Sequence, residues 1–159
     1  MAPDRSAELR SLIDDARAAP NEMIGRDVSN RMWAIWADAP DEVAQEMLDR
    51  GMAARRVSDF MRAIQAFDDL IAYCPGYAEG YNQRAFVRFL TQDYAAAVVD
   101  LDLALDRSPR HVAALAGLAL SLMGLGQDDR AQVVLRRALD LNPWLPERGL
   151  LREPPGEKL

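Results

Sequence analysis

The sequence predicts an all-α fold, a solenoid of antiparallel helix pairs, and three observations carry that expectation. Pro75, Pro109 and Pro143 stand 34 residues apart. Small residues recur in the same phase: Gly51, Ala85 and Ala119 in one set, Ala63, Ala97 and Ala131 in another. Each 34-residue unit also reads as two amphipathic helices followed by a stop. A fixed period of this length means that one helical pair is repeated and stacked, each copy burying its face against the next.

Residues 4–19 form the first helical segment, with Leu9, Leu12, Ile13 and Ala16 on one stripe and Pro20 ending it. Asn21 is placed to cap a second helix reaching to about Asp38. Its expected buried stripe is Ile24, Val28, Ile35 and Trp36, with Met32 on it and Trp33 beside it, and Pro40 closes it. This hairpin, within 1–43, lacks the repeat's signature: of Arg17 and Ser29, which stand 34 residues before Gly51 and Ala63, only Ser29 is small. It is expected to be an N-terminal cap covering the open end of the stack.

Three repeats follow, at 44–77, 78–111 and 112–145. The first helix of each, helix A, is expected at about 41–56, 78–91 and 112–125, and the second, helix B, at about 59–72, 94–107 and 128–141. Asp59 and Asp93 open helix B, where a carboxylate accepts orphan N–H groups. The small residues at the eighth and twentieth positions let the two helices approach, and Phe67, Leu101 and Leu135 at the twenty-fourth fill the space between them. Ala104 and Ala138 let helix B meet the next helix. Leu70 stands in their place in the first repeat, so the first interface is expected to splay. Asp128 replaces the aromatic seen as Phe60 and Tyr94, which is expected to loosen the third hairpin. Cys74, Ser108 and Asn142 precede the prolines and are driven out of the helical region, forcing the turn.

The segment 146–159 is expected to hold a short C-terminal cap and, from Glu153, a disordered tail. Trp144, Leu145, Leu150 and Leu151 supply the apolar side of the cap. The alternative use of Trp144 and these leucines is self-association, which would make the protein a homo-oligomer.

Charge and motifs narrow the function classes. A formal charge of −6 and a pI of about 4.8 argue against a nucleic-acid partner. No apolar run is long enough for a membrane span, and no signal-peptide core follows Met1. The expected location is cytoplasmic as sequenced, or periplasmic if Met1 replaces a cleaved signal. Cys74 is the only cysteine. His111, the only histidine, is read as a surface or capping residue, and Asp100, Asp102 and Asp106 as a solvated helix face. No nucleophile–base pair, metal motif or phosphate loop is present in the sequence, so neither an enzyme, a metal nor a cofactor is expected.

The period, the phase of its small residues and its proline stops resemble the tetratricopeptide repeat (TPR). The resemblance implies a right-handed superhelix whose helices A line a concave groove through their second, fifth, ninth, twelfth and thirteenth positions. Carried onto this chain, these are Gln45, Leu48, Met52, Arg55 and Arg56, then Glu79, Asn82, Phe86, Phe89 and Leu90, then Ala113, Ala116, Leu120, Met123 and Gly124. It implies a non-catalytic scaffold binding a protein or peptide segment. Arg55 and Arg56 would meet an acidic group, the Asn82 amide a peptide backbone, and Phe86 and Phe89 an apolar side chain, with Met52 and Leu120 on the same surface. Packing within the hairpin is the alternative role of Phe86 and Phe89. The carboxylate clamp of some TPR domains is not reproduced: Leu48, Met52, Ala113 and Gly117 stand where its basic and amide residues would be. The chain as a whole also resembles small bacterial TPR proteins with a helical lead-in, through Ala18-Ala19-Pro20, Trp33 and Ile35-Trp36.

Overall fold

Eight α-helices make up the fold among the residues, 4–152, that the computed structural model describes: α1 (Ser6–Ala18), α2 (Glu22–Trp36), α3 (Glu42–Arg56), α4 (Phe60–Tyr73), α5 (Ala78–Leu90), α6 (Tyr94–Arg107), α7 (Val112–Gly124) and α8 (Asp128–Leu141). A 3-10 turn, Pro146–Leu150, follows. Helices α3–α4, α5–α6 and α7–α8 are antiparallel pairs stacked in chain order, and the first helices α3, α5 and α7 are neighbours along one face.

Local chemistry starts these helices. The Asn21 side chain accepts the Ile24 N–H at 3.0 Å, and Asp41 accepts that of Ala44 at 2.8 Å. Asp59 and Asp93 do the same for Arg62 and Ala96. No side-chain cap opens α8, whose preceding residue is Gln127. The three turns within the pairs share one device. Ser58, Gln92 and Gly126, 34 residues apart, adopt left-handed φ values of 60°, 62° and 75°, a conformation that only glycine adopts without steric cost.

Core contacts explain the small residues. A Cβ on Gly51 would lie 2.3 Å from the Phe67 ring. The equivalent pairs in the next repeats are Ala85 with Leu101 and Ala119 with Leu135, so a smaller residue on one helix matches a larger one on the other. Leu70 is fully buried. Room for it comes from Gly80 on α5, where a Cβ would stand 3.4 Å from the leucine side chain. Asp100 corrects the solvated-face expectation. It is buried and accepts hydrogen bonds from Arg84 (2.7 and 2.9 Å) and Arg88 (2.8 Å). Asp102 and Asp106 are exposed.

The N-terminal hairpin does not lie in front of the first repeat. Leu9, Leu12, Ile13 and Ala16 of α1 share a core with Val112, Leu115, Ala138 and Leu145, at the opposite end of the stack. Arg17 donates to the Asp140 carbonyl at 2.7 Å, and Asn142 donates to Ser29 Oγ at 2.9 Å. The indole of Trp144 lies against Gly25, where a Cβ would stand 2.3 Å from it, and its Nε1 donates to the Ala16 carbonyl at 3.0 Å. The buried stripe of α2 is Gly25, Val28, Met32 and Trp36, whereas Ile24 is exposed. Gly25 replaces Ile24 in the contact because only a residue without a side chain admits the Trp144 ring.

From that end, α2 returns past the starts of α7 and α5 toward α3. The Trp36 ring stacks on His111 with centroids 4.1 Å apart, and its carbonyl accepts the Tyr77 hydroxyl. Gln45 then ties down the linker, donating to the Ala37 carbonyl and accepting the Ala39 N–H. At the C-terminal end, the Gln132 amide brackets the 3-10 turn, bonding the Leu150 carbonyl and the Arg152 N–H. The tail expected from Glu153 lies outside the described residues.

Candidate ligand-binding cleft

The first helices of the three pairs, with α2 and the C-terminal turn, enclose a cleft of about 430 Å³. Six of the seven residues singled out in the sequence line it: Met52, Arg55, Asn82, Phe86, Phe89 and Leu120. Arg56 does not. It is exposed, while Arg55, one residue earlier, turns inward. Trp33 of α2 and Leu145, Pro146 and Glu147 of the C-terminal turn form walls that the repeat spacing did not indicate.

Arg55 is the cation of the site. Its guanidinium lies 4.6 Å from the centroid of the Phe86 ring, a cation–π arrangement. It forms no ion pair among the described residues. Burial, and then the adjacent Arg56 charge, pull it below the ordinary arginine value, while the Glu79 carboxylate opposes that shift. The group still carries its charge at neutral pH, since an unperturbed guanidinium titrates far above it. Phe86 is 40% exposed and therefore available at the surface of the cleft, whereas Phe89 packs partly against Tyr94 at 5.6 Å. The two alternatives for these aromatics thus divide between them.

Asn82 is already partly used. One of its amide hydrogens goes to Glu79 Oε1 at 3.1 Å. Glu79, buried at the start of α5, also accepts from Gln83 at 2.7 Å and meets His111 Nε2 at 2.7 Å. The other imidazole nitrogen, Nδ1, accepts the Ala114 N–H and caps α7, so Nε2 bears the hydrogen directed at Glu79. His111 is therefore a capping residue but not a surface one. Glu79, Asn82, Gln83 and His111 form a network joining α5 to α7 beneath the Trp36 ring. Every carboxylate oxygen of Glu79 is bonded in it, and no cluster of three metal-holding side chains occurs among the described residues.

Other groove positions are committed to packing. Leu48 is fully buried against Phe67, and Met123 belongs to the core between the second and third pairs. Gly124 lies under the Tyr94 ring. Gln83 and Ser121 are the side chains that sequence reasoning passed over. They stand at the sixth and tenth repeat positions, beside the positions singled out from the repeat spacing.

Comparison with known proteins agrees with this architecture. A family model described as Tetratricopeptide repeat matches residues 89–144. A TPR repeat-containing protein of Rhizobium etli is 28% identical over 73% of this chain and 57% of its own length. Tetratricopeptide repeat protein 36 of Xenopus tropicalis is 36% identical over 68% of this chain and 55% of its own. The chain thus spans little more than half the length of these two relatives. Among solved structures, the first TPR of Spaghetti (RPAP3) bound to HSP90 peptide SRMEEVD superposes with a TM-score of 0.65 at 20% identity, covering 67% of this chain and 85% of that one. The period in the sequence, the stacked helix pairs and these independent likenesses lead to one conclusion: the chain is an all-α solenoid built of tetratricopeptide repeats.

Proposed function

We propose that this protein is a non-catalytic scaffold that binds a protein or peptide segment on the concave side, across the C-terminal halves of α3, α5 and α7. One observation carries the reading. Arg55, without a carboxylate partner among the described residues, lies over the exposed Phe86 ring at the mouth of the cleft, so a cation and an apolar surface are presented together. Helix α2 crosses the starts of the same helices, which confines the remaining open surface to their far halves. A segment pairing an acidic with an apolar residue suits that surface. The solved relative bound to a peptide supports this use of the fold. Because the clamp positions hold Leu48, Met52, Ala113 and Gly117, a different peptide class is proposed here. Self-association through Trp144 has less support, since that ring is engaged with Gly25 and Ala16.

Selection from a random peptide library tests the proposal. Wild-type protein should enrich acidic–apolar sequences, and Phe86→Ala should weaken the selected peptides by about tenfold or more, as loss of a packed aromatic anchor does at other interfaces. The melting curve of the variant should stay near wild type. Enrichment that is absent, or that survives both Phe86→Ala and Arg55→Gln, overturns it.

A further inference from the structure

Helix α2 sits where the third repeat presents its groove positions. Met32 and Trp36 share a core with Val112, Leu115 and Ala116 of α7, and Ala116 is one of those positions. Among the described residues, no side chain of α2 forms a hydrogen bond or ion pair with α3, α5 or α7. Its polar ties to the rest of the chain lie outside those helices: Tyr77 donates to the Trp36 carbonyl, and Asn142 and Arg148 reach Ser29 and Glu22. The contact with α7 is thus made by apolar and aromatic surface. It is also incompletely filled. A second cavity, of about 400 Å³, is lined by α2, the start of α7 and residues from Asn142 to Arg148. Trp33, 40% exposed, borders both this cavity and the cleft of about 430 Å³. Unfilled space beside a side chain forfeits the dispersion contacts that would hold it there.

The seat under α2 belongs to the repeats. His111 opens α7, and both of its ring nitrogens are engaged there: Nε2 meets Glu79 of α5 at 2.7 Å, and Nδ1 accepts the Ala114 N–H at 3.1 Å. The imidazole is therefore fixed with one face toward Trp36, stacked at 4.1 Å and 12°. Trp33 meets the same ring edge to face at 6.2 Å. Neither anchor of the imidazole depends on α2, so this platform persists when the helix leaves. We propose that α2 is a displaceable internal ligand, and that its seat accepts an amphipathic helix of a partner protein carrying two aromatic residues three apart, as Trp33 and Trp36 are. Residues three apart share one face of a helix. A preformed platform, with the small Ala113 and Ala116 beside it, receives their rings without reorganising. The chain's own helix displays that chemistry in place, and it keeps the inner groove closed until a partner helix takes the seat. Neither Arg55 nor Phe86 takes part in this stacking, so failure here leaves the peptide reading of the rim untouched.

Fluorescence anisotropy of labelled peptides with the full chain tests this. The first probe is a synthetic peptide of residues 21–38. Wild-type protein should bind it weakly, because a competitor sees only the fraction of molecules whose seat is open. Two variants alter only α2. Gly25→Ala places a Cβ 2.3 Å from the Trp144 ring, and Trp36→Ala removes the stacked ring. Both should bind the probe at least about tenfold more tightly than wild type. Replacing either tryptophan of the probe with alanine should weaken it about tenfold. An alanine-rich helix of unrelated sequence with two tryptophans three apart should compete, and one with them two apart, on different faces, should not. Thermal melts of both variants should keep the cooperative transition of the repeats, and its loss overturns the proposal by making α2 part of one folding unit. Absence of saturable binding to either variant at millimolar concentration, equal binding by wild type and variants, or indifference to tryptophan spacing also overturns it. Dimerisation of Gly25→Ala in sedimentation overturns it too, giving the seat to a second copy of the chain.

Discussion

At the scale of single residues, the repeated small positions are not interchangeable. Gly51 faces Phe67, whereas Ala85 shares a core with Leu101 in the second pair, so the volume is divided differently between partners. Adding a methyl group to Gly51 forces the Phe67 ring to move, and overpacking of this kind costs about 1–3 kcal/mol. Gly51→Ala should therefore lower stability by that amount in urea unfolding. The double variant Gly51→Ala/Phe67→Leu, which copies the second repeat's pair, should recover most of the loss. Additive effects in the double-mutant cycle would show that the two positions are not coupled. The sequence revealed that position 51 must be small. It did not reveal that Phe67 demands glycine there, because that depends on the ring's rotamer in the assembled pair.

At the scale of the element, turns and caps were readable to different degrees. Asn21, Asp59 and Asp93 cap helices as their spacing implied, because an N-cap bond reaches only two or three residues along the chain. The left-handed residue in each turn is local too, yet only Gly126 announces it, while Ser58 and Gln92 hold the same conformation at a cost. Gln92→Gly should stabilise the protein by roughly 0.5–1 kcal/mol, relief of left-handed strain partly offset by glycine's greater unfolded-state freedom. A rise in the urea midpoint with unchanged slope checks this. Asp100 misled for a different reason. On its own helix it resembles Asp102 and Asp106, but its position faces α5, from which Arg84 and Arg88 reach it. A charge pattern along one helix cannot show the cations that a neighbouring helix supplies.

At the scale of the whole molecule, the N-terminal hairpin closes the stack on its last repeat, and α2 straps the starts of its inner helices. Trp144 is the main fastening, lying on Gly25 and bonded to Ala16. Deleting a large packed aromatic removes several kcal/mol from the contacts it holds, about 3–5 for a buried ring. Trp144→Ala should thus raise amide hydrogen exchange in α1 and α2 by at least about tenfold, with α5 and α6 nearly unchanged, because the strap can open without unfolding the repeats. Uniform acceleration along the chain would show instead that strap and repeats form one cooperative unit. The strap also bears on the cleft, since Trp33 forms one of its walls and Trp36 covers the Glu79–His111 network.

The 34-residue period, the helix limits and the small-residue contacts within each pair were determined by the sequence alone. These depend on neighbours three or four residues apart and on one unit meeting an identical unit, so a single copy of the pattern contains the geometry. Only the tertiary structure decided where the non-repeating ends go. The hairpin pairs with residues more than a hundred positions away, through a tryptophan fitted over a glycine, and no periodicity encodes such a contact. The character of the cleft follows from that placement. Met52, Arg55, Phe86 and Leu120 could be read from their repeat positions, whereas Trp33 and Glu147 became part of one site when the two ends folded over it.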